Sequence, residues 1–248
     1  MPNPKIQEWM QRSQWVIRGT VAKIGATTMK AIPASQHVAV VKVEDILHGP
    51  SQFADHRGRE ITLYSENPQG LVAGKRAVFF TRSWLYGESL AVVEVGRLEE
   101  GDQKTVQDDI KAAHQNIEDR RLGDRIAKAE LVITGKVVRT APARQTDARR
   151  VETEHAPDWW QAEIEVQSVL KGTHQEKTVI LYANSLDEMW IDSPKFKQGQ
   201  EGIWILQRDQ KEKGWPVLRI PGLTTLDPLD FQPMQQLDRV RKLAAERR

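Results

Sequence analysis

An ordered series of similar segments occurs twice in the chain, and this internal repeat limits the possible folds more than any other feature. Trp15–Val21 resembles Leu131–Val137, with a glycine at the same place in each. His37–Gly49 resembles Trp160–Gly172, and the two end in Ile-Leu-His-Gly and Val-Leu-Lys-Gly. Chance matches would not keep their order along the chain. The repeat therefore predicts two copies of one structural unit.

Three further segments complete each copy in the same order. All are short, rich in β-branched or aromatic residues, and separated by glycine, proline or asparagine, which is typical of β-strands and turns. The matched segments are Ile61–Tyr64 with Val179–Tyr182, Gly74–Phe80 with Gly199–Ile205, and Leu90–Val95 with Val217–Ile220. The last pair runs into Gly96 and Gly222. Each unit is thus predicted to contain five short strands.

A helix is predicted after the strands of each unit, from apolar residues at helical spacing. The second of these helices is predicted to begin near Asp227-Pro228, which resembles an N-terminal cap. The apolar positions are Val106, Ile110, Ala113 and Ile117 in the first helix, and Phe231, Met234, Leu237 and Val240 in the second. Shorter helical segments are predicted before each unit, around Ile6, Trp9 and Met10, and at 124–130.

Five strands in about 85 residues are too few for two large sheets, and a small closed barrel hides the strand edges. We therefore predict a mainly β protein with flanking helices: two tandem five-stranded OB-like barrels, each followed by an amphipathic helix. The first unit is predicted to span residues 1–121 and the second residues 122–248. An immunoglobulin-like sandwich, which needs about seven strands, is the alternative.

The repeated motifs resemble those of the bacterial relatives of the netrin-type, tissue-inhibitor-of-metalloproteinase-like OB fold. The family pattern includes a Val-Leu-Lys-Gly turn and a Phe-x-x-Gly turn before an apolar-aromatic-apolar-Leu strand. The residues that fit it best are Val166, Val169, Leu170, Lys171, Gly172, Phe196, Gly199, Trp204 and Leu206. The first unit departs at His48 and Thr81. The resemblance implies a fold and a bias toward protein binding, but no inhibitory mechanism, because the animal inhibitors use an N-terminal cysteine.

Composition narrows the possible chemistry. The chain has 248 residues, 39% of them hydrophobic and 28% charged, as expected for a globular protein. A formal net charge of +2 gives no overall field that would imply a polyanionic partner. The absence of cysteine excludes disulfides, thiol nucleophiles and thiolate-bound metals. We predict no cofactor and no membrane-spanning segment, while the compartment and the oligomeric state stay open.

Few residues suggest a catalytic or metal centre. The loop after the second predicted strand holds Asp45, His48, Asp55 and His56, which could bind zinc or a similar ion, although a solvated loop is the preferred interpretation. The acidic stretch Asp187–Asp192 is interpreted as an exposed loop anchored by Trp190 and Ile191. The phosphate-loop-like Gly70–Lys75 is interpreted as a turn that leads into a strand. No catalytic residue is predicted.

Tryptophan is more informative, since exposed indoles are enriched at binding surfaces. Trp15 and Trp204 stand at repeat positions with apolar partners and are predicted to be core residues. Five others fall at predicted loops or strand ends and are candidate binding residues: Trp84, Trp159, Trp160, Trp190 and Trp215. Packing between the units is the alternative role for them.

The segment Arg139–Asp158 is predicted to be a long mobile loop between the first two strands of the second unit. Such loops on a rigid barrel often bind ligands. Its candidate binding residues are Arg144, Arg149 and Arg150.

The leading functional hypothesis is a binding or scaffold protein, without enzymatic activity, that holds a protein partner through its barrel loops. One alternative is binding of single-stranded nucleic acid or glycan through exposed tryptophans and basic loops. A second alternative is an unrecognised hydrolase with a site between the units.

Overall fold

The structure, a computed structural model, describes residues 3–50, 55–99, 103–143, 157–173, 176–208 and 222–246. It is mainly β with flanking helices, as predicted. The chain forms two compact units, Met1–Glu118 and Asp119–Arg248.

The first unit is a closed five-stranded barrel with the strand order β1-β2-β3-β5-β4, and the predicted barrel is confirmed here. Alternate residues of its strands point inward, so that Ile17, Val41 and Leu63 meet Trp15 and Phe79 in one apolar core. The elements are α1 (Pro4–Arg12), β1 (Trp15–Ile24), β2 (Val38–His48), β3 (Glu60–Tyr64), β4 (Arg76–Tyr86) and β5 (Leu90–Glu99).

One continuous helix, α2 (Gln103–Lys128), replaces the two separate helical segments predicted around 106–117 and 124–130. In the first unit, its residues Ile110 and Ala113 pack with Ile6 and Met10 of α1 against the outside of the barrel. In the second unit, Leu122 and Ile126 pack in a separate apolar cluster with residues of that unit.

The second unit is a curled six-stranded sheet with the order β10-β8-β7-β6-β9-β11. Its first five strands repeat the order of the first unit, and a single bridge between Gln207 and Thr224 links the ends of β9 and β10. The sixth strand, β11, is an addition that the sequence did not predict. The elements are β6 (Leu131–Pro142), β7 (Trp159–Lys171), β8 (Lys177–Ala183), β9 (Glu201–Leu206), β10 (Leu223–Thr225), β11 (Phe231–Gln232) and α3 (Leu237–Ala245).

The first two strands of each unit share a set of irregularities in register. The β1–β2 pairing shifts at 16/17, 18/19 and 21/23, and the β6–β7 pairing shifts at 132/133, 134/135 and 137/139, which are 116 positions later. The turn before the fourth strand also corresponds. Gly74 donates its N–H to the carbonyl of Val21, and Gly199 donates to that of Val137, both at 2.8 Å. The predicted turn at Gly70–Lys75 is thus confirmed.

At the end of the second unit, the predicted start of the helix is wrong, and the predicted last strand lies outside the described residues. The helix does not begin near Asp227: that residue caps a 3-10 turn over Pro228–Asp230, and α3 starts only at Leu237. Phe231 lies in β11 beside Trp204, so the helical spacing of Phe231 was misleading. The predicted strand 217–220 lies outside the described residues, and Leu223–Thr225 pairs in parallel with β8 as β5 pairs with β3.

The matched strands β3 and β8 are offset by one residue from the sequence alignment. Ala39 and Ala162 are equivalent, and they pair with Leu63 and Ile180 respectively. Leu63 therefore corresponds to Ile180, and both side chains lie in a barrel core. A slip of one residue exchanges the two faces of a strand. As a consequence, Tyr64 is not the equivalent of the buried Tyr182, and it lies on the outside of its barrel.

Candidate functional site

The outer face of β3, β5 and β4 carries the side chains that alternate with the barrel core. Tyr64 pairs with Val93 of β5, and Val93 pairs with Arg82 of β4, so the three form one row across the strands. Their neighbours Leu63 and Val92 point into the core. The row is therefore fixed by strand register rather than by a loop.

An aromatic cluster lies along this row. The Trp84 ring is 5.3 Å from the Tyr64 ring, and the His37 ring stacks on Tyr64 at 6.0 Å, both measured between ring centroids. Trp84 is 45% exposed although it stands in a strand. The register of β4 shifts between Ser83 and Leu85, so Trp84 lies in a bulge.

Two sets of contacts hold the strands that carry the aromatic cluster. The Trp15 indole N–H donates to the Ser83 hydroxyl at 3.1 Å, and the Ser83 N–H donates to the Gln14 side chain at 2.8 Å. In the second set, the loop after β1 packs Met29 and Ile32 against Tyr64 and Ala91. These contacts support the aromatic residues from behind and leave the Trp84 ring accessible.

An open groove of about 390 Å³ adjoins the aromatic cluster. Two exposed cations line it: Arg12, at the end of α1, and Arg82. Val93 also lines it, from β5, the strand between β3 and β4. Gln14 donates its N–H to the Thr81 carbonyl at 2.8 Å, which fixes the end of α1 beside β4. The groove is lined by Arg12, Ser65, Glu66, Asn67, Arg82, Val93, Glu94 and Val95. We call this groove, together with His37, Tyr64 and Trp84, the aromatic–arginine face.

Glu94 is the most buried charge of this face. Arg97 donates to both its carboxylate oxygens, at 3.0 and 2.9 Å. Burial raises the pKa of Glu94, while a hydrogen bond from Ser65 and the Arg97 charge oppose that rise. Arg97 also donates to the carbonyl groups of Asn67 and Gln69. The Glu94–Arg97 pair thus secures the loop after β3, which forms one wall of the groove.

The predicted binding tryptophans differ in position and exposure. Of the four that the structure describes, only Trp84 is a member of the aromatic–arginine face. Trp190 is 5% exposed, and its indole anchors the acidic loop, while Ile191 is 57% exposed. Trp159 is partly buried with its ring 6.2 Å from that of Trp190, and Trp160 packs against the core. Trp215, Arg144, Arg149 and Arg150 lie outside the described residues.

Sequence reasoning missed Tyr64, His37, Arg82 and Arg12. Arg82 and Trp84 stand two residues apart in a segment that continues the fourth strand, so a period-two pattern could have placed them on one face. Tyr64 was obscured by its apparent match to Tyr182.

The weak metal candidates do not converge. Asp45 accepts from Arg57 at 2.6 Å, whereas the His48 ring lies 4.6 Å from the ring of His114 on α2. His56 is buried with its ring 6.3 Å from that of Trp15, and Asp55 is exposed. Within the residues that the structure describes, no group of three or more His, Asp or Glu side chains could hold a metal ion.

The His48–His114 contact gives a prediction on pH dependence. Burial and the His114 charge lower the pKa of His48, and the Glu118 charge on α2 partly opposes this. As the pH falls through about 6.5, the unfolded chain therefore takes up a proton before the folded one, and stability decreases. We expect urea unfolding at a series of pH values to show this loss, reduced in His48→Gln. His114→Gln should reduce this pH-dependent loss less than His48→Gln does, because burial of His48 still lowers its pKa. If His48→Gln lost as much stability at low pH as the natural sequence does, His48 would not be the source of the effect.

Among the described residues, Ser193 and Lys195 resemble a nucleophile–base pair. The Lys195 Nζ donates to the Ser193 hydroxyl at 2.8 Å, and burial lowers the pKa of Lys195. However, the same ammonium group also donates to the carbonyls of Trp190 and Ser193, at 2.5 and 2.8 Å, so all three donors are used. The serine is 6% exposed and itself donates to the Trp190 carbonyl at 2.7 Å. This arrangement secures the loop and leaves no accessible nucleophile.

No protein-family model matches the chain, and no curated protein matches it. Among solved structures, the single-stranded DNA binding protein from Thermus aquaticus is similar at 12% identity and a TM-score of 0.21, over 89% of this chain and 92% of that chain. Across the described helices, none is long and apolar enough to span a membrane.

Proposed function

We propose that the protein is a non-enzymatic binding protein that holds a protein partner through the aromatic–arginine face of its first unit. The observation that carries the proposal is Trp84, which is 45% exposed on a supported strand and in contact with Tyr64. Tryptophan, tyrosine and arginine are the residue types most enriched among those that dominate the binding energy of protein interfaces. Here all three lie side by side.

The charge of the face favours a protein partner over nucleic acid. Glu66 and Glu94 line the same groove as Arg12 and Arg82, so the cations do not form a continuous basic track. Binding of the phosphate backbone of a nucleic acid depends on several cationic contacts and on the counterions that they release. The formal net charge of +2 adds no long-range attraction that would compensate.

We further propose that the two units are copies of one ancestral unit and are bacterial relatives of the netrin-type, tissue-inhibitor-of-metalloproteinase-like OB fold. The shared strand order and the register shifts at positions 116 residues apart support the duplication. In the second copy, Leu181 stands at the position equivalent to Tyr64, so this tyrosine is particular to the first copy. One copy would then have kept or acquired the binding face.

Selection from a displayed library of random peptides tests the proposed function. We expect the immobilised full chain to enrich a defined set of sequences, because a fixed exposed aromatic face binds suitable peptides. Trp84→Ser should weaken binding of the selected peptides by about tenfold or more. Leu186→Ser is the matched control, since Leu186 is 77% exposed in the second unit and should not affect binding.

Two outcomes would overturn the proposal. One is enrichment that Trp84→Ser leaves unchanged, or no enrichment over an unrelated protein. The other is salt-dependent binding of single-stranded oligonucleotides, measured by fluorescence anisotropy, that Trp84→Ser abolishes. The second result would assign the face to nucleic acid.

A further inference from the structure

We infer that the groove beside Trp84 binds a carboxylate side chain of the partner, next to an apolar residue that packs on Trp84 and Tyr64. This inference rests on the proposed function and adds the chemistry of the bound segment: an acidic residue beside an aromatic or aliphatic one. It follows from which charges of the groove are already paired and which are available.

The buried carboxylate of the groove is already paired. Glu94 accepts two hydrogen bonds from Arg97, at 3.0 and 2.9 Å, and the exposed fractions of the two side chains are only 10% and 17%. Glu94 is therefore engaged with Arg97 rather than with the arginines at the rim. Arg97 is in turn occupied by Glu94 and by two backbone carbonyls, so it is not a free cation for a ligand.

The cations at the rim are weakly engaged. Arg12 lies 3.7 Å from Glu8, but both side chains are about two-thirds exposed, at 65% and 66%. An exposed pair of this kind contributes little and exchanges easily for another carboxylate. Arg82 is exposed on the same groove, and Glu66 is the one further carboxylate that lines it. The lining of the groove thus presents Arg12 and Arg82 against the exposed Glu66, with Glu8 beside Arg12 in a weak, exposed pair.

Geometry favours an acidic residue followed or preceded by an apolar one. Arg82 and Tyr64 both pair with Val93, so the cation and the aromatic ring lie on the same face, on the two strands that flank Val93. Trp84 lies two residues after Arg82 and contacts Tyr64. A guanidinium group binds a carboxylate through two parallel hydrogen bonds, which gives orientation as well as attraction. A short extended segment can therefore place its carboxylate on the arginines and its neighbouring apolar side chain on the indole.

The same peptide selection, repeated with charge variants of the full chain, tests this inference. We expect the peptides enriched by the natural sequence to contain Asp or Glu beside an aromatic or aliphatic residue. Arg82→Glu should reverse the preference toward Lys or Arg, whereas Arg82→Lys should keep the acidic preference. Arg241→Glu, at a site on α3 that is 54% exposed, is the control and should leave the preference unchanged.

A double-mutant cycle gives the quantitative form of the test. Replacing the acidic residue of a selected peptide by its amide should weaken binding to the natural sequence by about tenfold, and binding to Arg82→Glu much less. Peptides that depend on Trp84 but show no acidic preference, and that bind Arg82→Glu equally, would overturn this inference while the proposed function stands. Failure to enrich any peptide would overturn both.

Discussion

Asp230→Ala should destabilise the second unit by about 3–5 kcal/mol, because it would remove the buried carboxylate that accepts two hydrogen bonds from the Arg125 guanidinium. Asp230 is 0% exposed and accepts from Arg125 Nε at 3.0 Å and Nη2 at 2.6 Å. Its second oxygen accepts the N–H groups of Leu226 and Asp227, at 2.9 and 3.0 Å. One carboxylate thus links α2 to the segment that precedes β11.

Urea unfolding measures this loss, and two variants separate its causes. Glu130→Ala breaks the exposed pair between Arg208 and Glu130 and should cost no more than about 1 kcal/mol. The double variant Arg125→Met, Asp230→Leu should lose less stability than Asp230→Ala, because it leaves no unpaired buried charge. A cost for Asp230→Ala as small as that of Glu130→Ala would show that the pair does not hold this part of the fold.

Gly135→Ala and Gly19→Ala should each destabilise their own unit by about 3 kcal/mol, at the upper end of the cost of overpacking. A Cβ added at Gly19 would lie 2.6 Å from the Lys42 carbonyl oxygen, and one added at Gly135 would meet the Glu165 carbonyl oxygen. Both obstacles are backbone atoms of the paired strand, so no side-chain rotation relieves them. The strands would have to separate at the shared register shift.

Hydrogen exchange followed by mass spectrometry assigns each loss to a unit. We expect reduced protection of β1 and β2 in Gly19→Ala and of β6 and β7 in Gly135→Ala. Gly87→Ala is the control, because its Cβ would meet only the end of the Met29 side chain, at 3.6 Å. Equal protection in Gly135→Ala and the natural sequence would contradict the described register.

The order of strands could be predicted from the sequence because each strand is a local pattern and the two copies supported each other. Register could not: the match of Tyr64 with Tyr182 looked better than the structural match of Leu63 with Ile180. Pairing with β2 and β7 decides that register, and a comparison of short segments does not contain this information. The one-residue error hid an outward-facing aromatic residue.

The candidate site was only partly predictable for a similar reason. Trp84 was recognisable as an aromatic residue outside the repeated core. Tyr64, Arg82 and Arg12 come together through strand pairing and through the contact of Gln14 with β4, over long sequence separations. The pairing of Arg125 with Asp230 spans 105 residues and has no local pattern that indicates it. Conversely, Trp190 was predicted to be a binding residue from its place in an acidic loop, whereas its indole is buried and anchors that loop.

Fluorine NMR of the full chain, labelled with 5-fluorotryptophan, tests the binding face most directly. The chain has eight tryptophans, and Trp84→Phe identifies the resonance of Trp84 by its loss. On addition of a selected peptide, the account predicts that the Trp84 resonance shifts, while that of the buried Trp190 stays in place. A peptide that binds by calorimetry, yet leaves the Trp84 resonance unchanged, would contradict the assignment of this face as the binding site.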